Sequence, residues 1–134
     1  MLHPMRRLAV LVAFLVLAAP ASADAKRLVR YGVTGGLAPS SELLVVNTDG
    51  HARQAGRAGV RSFKLTAKQL RGLKRDLKDA RFKSLKRSYQ PEFPVMDGQT
   101  RTVSYKGRSI SVSTMAKVPK RLSRVLRRLA RIMS

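Results

Sequence analysis

The chain has 134 residues, with 28 Lys+Arg against 7 Asp+Glu, 44% hydrophobic residues, 5% aromatic residues and no cysteine. That length admits one domain, and the lack of Cys excludes a disulfide scaffold, a Cys-ligated zinc site, a thiol nucleophile and a lipoprotein anchor. Without Trp, and with few Tyr or Phe, the chain offers no aromatic stacking platform, yet its apolar fraction is too high for a disordered polycation.

The first segment reads as a targeting signal. Arg6-Arg7 precedes an apolar run from Leu8 to Ala19, which ends in Pro20-Ala21-Ser22-Ala23. A basic start, a short apolar run and a small-x-small exit describe a Sec-type secretory signal peptide. The rival reading is a transmembrane anchor, but 12 residues make roughly 18 Å of helix against the about 30 Å of a bilayer core. The expected organisation is therefore a signal peptide over 1–23, cleaved after Ala23, and one small domain over 24–134. The product is expected to be secreted or held in the cell envelope, and not to span the membrane after cleavage. The mature part keeps 26 basic residues and all 7 acids, a formal charge of +19. Residues 98–134 hold 10 of those basics and no acid, which predicts a cationic face on the C-terminal side.

Within the mature chain, Lys26 to Val33 alternates, with Val29, Tyr31 and Val33 on one face, and reads as a strand. Thr34 to Ser41 reads as a loop, because Gly35-Gly36 allows positive φ and Pro39 cannot donate to a ladder. Glu42 to Thr48 carries four consecutive apolar residues and reads as a buried strand. Asp49-Gly50 signals a tight primed hairpin turn with positive φ twice. The return strand begins at His51, is interrupted over Ala55–Gly59 and resumes from Val60 to Leu65. Thr66-Ala67-Lys68-Gln69 fits a capping box, and Leu70, Leu73, Leu77 and Ala80 follow at helical spacing, so 67–80 is an amphipathic helix. Gly72 should weaken that helix by about 1 kcal/mol relative to Ala.

Phe82 and Leu85 should fasten the helix exit to the core. Tyr89 to Gly98, with Pro91 and Pro94, reads as an irregular connection. Gln99–Tyr105 and Arg108–Thr114 form a hairpin around Lys106-Gly107, with Ile110 and Val112 inside. Pro119 suits a first helical residue, and Leu122, Val125, Leu126 and Leu129 continue as an apolar stripe. The order β-β-β-α-β-β-α predicts an α+β domain: a mostly antiparallel sheet of about five strands packed with two amphipathic helices.

Catalytic chemistry finds little support. A Ser or Thr nucleophile needs a base, nearly always His. His51 is the only mature histidine and stands beside a predicted turn, where it reads as a surface residue. No G-x-S-x-G, H-E-x-x-H or G-x-x-x-x-G-K motif occurs. Asp76 and Asp79 lie on a Lys-rich helix, where ion pairing explains them, and Glu42, Glu92 and Asp97 are scattered. The expectation is a non-enzyme without metal or cofactor. Binding fits the composition better. Lys120, Arg121, Arg124, Arg127, Arg128 and Arg131 surround the stripe of the last helix and are the candidate anion-binding residues, for an envelope polymer or lipid headgroups. Nucleic acid is disfavoured, since no nucleic-acid motif accompanies the charge.

The order of short motifs adds a resemblance. A first strand runs into Gly35-Gly36-Leu37-Ala38, and a helix closes with Ala80-Arg81-Phe82 and Leu85. Asp97 opens a hairpin that ends in Gly107-Arg108, and Pro119 with Leu122 precedes a closing helix. Over roughly residues 28–129 this order resembles the emfourin-type small domains, which include inhibitors of protealysin and similar thermolysin-type zinc proteases. The resemblance implies an inhibitor acting by occlusion, with a secreted metalloprotease as its partner. The candidate partner-binding loops are Gly35–Ser41 (Gly35, Gly36, Leu37, Ala38) and Tyr89–Gly98 (Tyr89, Pro91, Asp97), because loops on a rigid scaffold commonly carry binding.

Overall fold

The computed structural model describes residues 26–36, 40–93 and 95–134. The leader expected over 1–23, and Leu37 and Ala38 of the first candidate loop, lie outside the described residues. The elements are β1 (Arg27–Gly35), β2 (Ser40–Asn47), β3 (His51–Gly56), β4 (Gly59–Lys64), α1 (Ala67–Asp79), a 3-10 turn (Phe82–Ser84), β5 (Ser88–Tyr89), β6 (Gln99–Tyr105), β7 (Arg108–Ser113) and α2 (Lys120–Met133). The fold is α+β, with two helices on one face of a seven-stranded sheet ordered β4-β3-β2-β1-β6-β7-β5.

Two strands beyond the expected five explain the difference. The stretch Ala55–Gly59 is a hairpin turn, not an interruption: Gly56 pairs Gly59 around Arg57-Ala58, and Gly59 takes φ 112, so β3 and β4 are separate antiparallel strands. The second addition is β5, which pairs in parallel with β7 through Ser88↔Ser111 and Tyr89↔Val112. Two residues are too few to show a period of two, so the sequence gives no signal for it, and the sheet is mixed rather than purely antiparallel.

Loop and turn boundaries shift for similar reasons. Thr34, Gly35, Ser40 and Ser41 belong to strands, since Thr34↔Ser41 and Gly35↔Ser40 extend the β1–β2 ladder. At Asp49-Gly50 only Gly50 has positive φ, at 96, and its N–H donates to the Asn47 carbonyl at 3.0 Å. The connection is thus a three-residue turn with one left-handed glycine, not a two-residue primed turn. The Lys106-Gly107 turn does carry φ 47 and φ 75 and is of the primed kind.

The core forms where the alternating strand faces meet the helical stripes. Val29, Tyr31, Leu44, Val46, Val103, Ile110 and Val112 of the sheet pack with Leu73 and Leu77 of α1 and Leu122, Val125, Leu126 and Leu129 of α2, all buried. Each such side chain contributes about 1.5–3 kcal/mol by leaving water. Phe82 and Leu85 are buried beneath the exit of α1, with Phe82 edge-on to Tyr105 at 5.2 Å between centroids. The capping box at α1 is complete: Gln69 N–H donates to Thr66 Oγ1 at 3.1 Å, and Thr66 N–H donates to Gln69 Oε1 at 2.8 Å. Pro119 is the residue before α2 rather than its first turn, because its ψ of 148 is extended.

Register places Arg30, Gly32 and Thr34 opposite Ser104, Thr102 and Thr100 on the sheet face away from the helices. The sheet thus has one greasy, helix-covered face and one hydroxyl-rich face. Among the described residues no helix is long and apolar enough to cross a membrane.

Candidate functional site

The connection between β5 and β6 is fixed at both ends by polar side chains. Ser113 Oγ donates to Gln90 Oε1 at 2.8 Å, and Gln90 Nε2 donates to Ser88 Oγ at 2.9 Å. At the other end, Gln99 N–H donates to Thr114 Oγ1 at 2.7 Å, and the Thr114 hydroxyl donates back to the Gln99 carbonyl at 3.0 Å. Both anchors tie the connection to the end of β7. Gly98 N–H closes a turn onto the Val95 carbonyl at 3.3 Å.

Between those anchors the chain presents apolar side chains to water. Phe93 is 74% exposed and Met96 is 99% exposed, with Val95 beside them. Met115, just past β7, is 77% exposed and holds φ 66, a left-handed conformation that a long side chain rarely adopts. Phe93, Val95 and Met115 line one hollow of about 500 Å³, together with Pro91, Glu92 and Lys117. A second hollow of about 380 Å³ adjoins it, with Gly98, Gln99 and Thr100 as further walls. The large exposed apolar residues of the domain thus gather largely at this one end of the sheet.

The first candidate loop reaches the same end. Gly35 (φ 95) lies so close to the Gly98 carbonyl that an added Cβ would stand 2.9 Å from it, and Gly36 (φ 101) faces the Gln99 side chain. The structure therefore brings Gly35 and Gly36 together with the segment that carries Pro91 and Asp97. Tyr89 is set apart: it belongs to β5, is half-buried and accepts from the Lys86 N–H at 3.0 Å through its hydroxyl. Phe93, Val95, Met96 and Met115 were not singled out from the sequence. For Phe93, Val95 and Met96 the signal was apolar character in a proline-containing stretch with no helical or strand period to bury it, and Met115 carried no such signal.

The basic candidates divide into two groups. Lys120, Arg124, Arg127 and Arg131 are exposed. Arg121 and Arg128 are half-buried and engaged within the protein: Arg121 Nε donates to the Ala80 carbonyl at 2.8 Å, and Arg128 Nε to the Asp76 carboxylate at 2.5 Å. With Lys68, Arg71, Lys74, Arg75 and Lys78 on α1, the two helices carry eleven basic residues against Asp76 and Asp79.

His51 and Asp49 form a solvent-exposed pair at 2.9 Å on the β2–β3 turn. The His51 backbone N–H, then its ring, hold the Asp49 carboxyl below its ordinary value of 3.8. Among the described residues no three His, Cys, Asp or Glu side chains gather as metal ligands would.

No curated protein matches the chain in sequence. Residues 44–133, from β2 through α2, match the model of the family described as Domain of unknown function (DUF6438), and the chain belongs to that family.

Proposed function

We propose that this protein is a non-enzymatic, exported binding domain that docks a partner protein against the loop end of its sheet. The observation that carries the reading is the exposed set Phe93, Val95 and Met96 on a connection hydrogen-bonded at both ends, with Met115 from beyond β7 lining the same hollow as Phe93 and Val95. Apolar side chains held on a fixed scaffold lose little freedom on binding, so their burial goes into affinity. Occlusion of a thermolysin-type protease cleft, as the emfourin resemblance implies, is the specific form of this proposal. It is tested by titrating the purified protein into assays of several such proteases, beside a Phe93→Ser, Met96→Ser variant. Inhibition that the variant loses with unchanged melting temperature supports the reading. Absence of inhibition in every assay removes the protease as partner.

A second reading has its own observation. The helical layer carries eleven basic residues and two acids, and one of those acids, Asp76, is buried beneath Arg128. Such a surface supports binding to an anionic polymer, with affinity that falls steeply as salt rises.

A further inference from the structure

The helical layer holds one place where cations are gathered rather than merely spread. A hollow of about 530 Å³ opens where α1 ends and α2 begins, lined by Lys78, Asp79, Arg81, Ser84 and Arg121. The three cations come from three segments: the last turn of α1, the residue after its cap, and the first turn of α2. Among the described residues none of the three forms an ion pair, although Asp79 lines the same hollow. Arg128, one helical stretch away, is by contrast neutralised by Asp76.

Arg121 is held in place. Its Nε donates to the Ala80 carbonyl at 2.8 Å and its Nη2 to Ser84 Oγ at 3.1 Å. The Ser84 hydroxyl in turn donates to the Arg81 carbonyl at 2.8 Å, so it positions the guanidinium as an acceptor. Neither bond uses Nη1. Arg121 also stands in the first turn of α2, where a cation opposes the helix dipole. Arg81 occupies the position after the helix cap with φ 51 and ψ 65, where glycine is the favoured residue because it has no Cβ to clash. Two arginines thus sit where local physics disfavours them, and both line one hollow. Violations of local rules concentrate at functional sites.

We infer that this hollow seats one phosphate group of an anionic polymer. A phosphate within such a chain directs its two unbridged and two bridging oxygens to the corners of a tetrahedron, which suits Lys78, Arg81 and Arg121 lining the hollow from three segments better than the two coplanar oxygens of a carboxylate. Lys74 and Arg71 on α1 and Arg124 and Arg127 on α2 add further exposed cations to the same helical layer, which favours a chain of phosphates over a single ion. The inference rests on the second reading above, and the test separates the two.

Binding of the purified protein to inorganic polyphosphate is measured by calorimetry for the unaltered chain, Arg81→Gly and Arg127→Gln. Each variant removes one positive charge, but only Arg81 lines the hollow. Arg81→Gly also relieves the left-handed strain, so its melting temperature should rise and misfolding cannot account for lost affinity. The expected result is an affinity loss of about tenfold for Arg81→Gly and at most about threefold for Arg127→Gln. Equal losses overturn the seat and leave the diffuse reading standing. Failure of the unaltered chain to bind polyphosphate or phosphatidylglycerol vesicles overturns both. Inorganic phosphate and those vesicles form the comparison arms. An Arg81-dependent response to vesicles without one to polyphosphate keeps the seat but overturns the polymer as the source of its phosphate.

Discussion

Arg128 on α2 reaches across to Asp76 on α1, and its guanidinium occupies the space a side chain at Gly72 would need. A Cβ added at Gly72 would stand 2.5 Å from Arg128 Nη1 and 2.8 Å from its Cζ. Asp76 is 2% exposed, whereas the Arg128 side chain keeps 25% exposure, so the pair lies at the rim of the helix–helix contact with its carboxylate turned inward. Glycine, aspartate and arginine form one unit: the missing side chain makes the path by which the cation enters.

Arg128→Met should therefore be more damaging than its loss of one surface cation suggests. It leaves the Asp76 carboxylate buried without its partner, and removing one member of such a pair costs about 3 kcal/mol. Urea unfolding should show the midpoint falling accordingly. The double variant Asp76→Leu, Arg128→Met should recover much of the loss, because well-packed apolar groups replace a buried pair at little net cost. A double variant no better than Arg128→Met alone would show that arginine packing, not charge, holds the helices.

Gly72→Ala tests the same unit from its other side. In an isolated helix the change should stabilise by about 1 kcal/mol. Here the new methyl displaces a guanidinium tied to Asp76, so the net effect should be destabilising by about 1–2 kcal/mol. Combined with Arg128→Met, the two losses should be clearly less than additive in a double-mutant cycle. Additive losses would mean that Gly72 does not act through Arg128.

Gly72 also shows how far the sequence could be read. Periodicity placed Leu70, Leu73 and Leu77 on one face, and Thr66 with Gln69 marked the helix start, because both signals are local. The same spacing made Gly72 look like a mere weakness in the helix, and the ion pairing expected of Asp76 pointed to the Lys-rich helix around it, whereas its partner Arg128 lies 52 residues further on and buries it. Long-range pairing hid other features in the same way. Ser88–Tyr89 becomes a strand only because β7 is there to pair with it, and Gly35 meets Gly98 only because β1 lies beside β6. Of the candidate site, the loops were visible from their Gly and Pro content. Phe93, Met96 and Met115 were not, because exposure is a property of the packed molecule and their residue types suggest the opposite.

The turn at Lys106-Gly107 offers a stabilising change. Both central residues hold positive φ, and the primed turn they form prefers Asn before Gly. Lys106→Asn should raise stability by about 0.5 kcal/mol, even though it gives up the contact of Lys106 Nζ over the Tyr105 ring at 5.5 Å. Thermal unfolding at low and high salt would check it. A gain seen only at low salt would instead reflect the removal of one like charge from a crowded cationic surface.

At alkaline pH the fold should fail through Tyr31. Burial in the central strand pushes its phenol above the ordinary value of 10.0, and the nearby Arg101 pulls it partly back. The neutral form is thus favoured in the folded state and ionisation in the unfolded one. Its contribution is fully present below pH 10.0 and is lost as pH rises through the higher folded value. Melting temperatures measured from about pH 8 to about pH 11.5 should fall for the natural chain and much less for Tyr31→Phe. Lysine deprotonation over the same range, near pH ~10.4, works in the opposite sense, since it lowers the self-repulsion of a strongly cationic molecule. The phenylalanine variant should accordingly level off or gain where the natural chain loses. A parallel decline of both would assign the alkaline instability to another group.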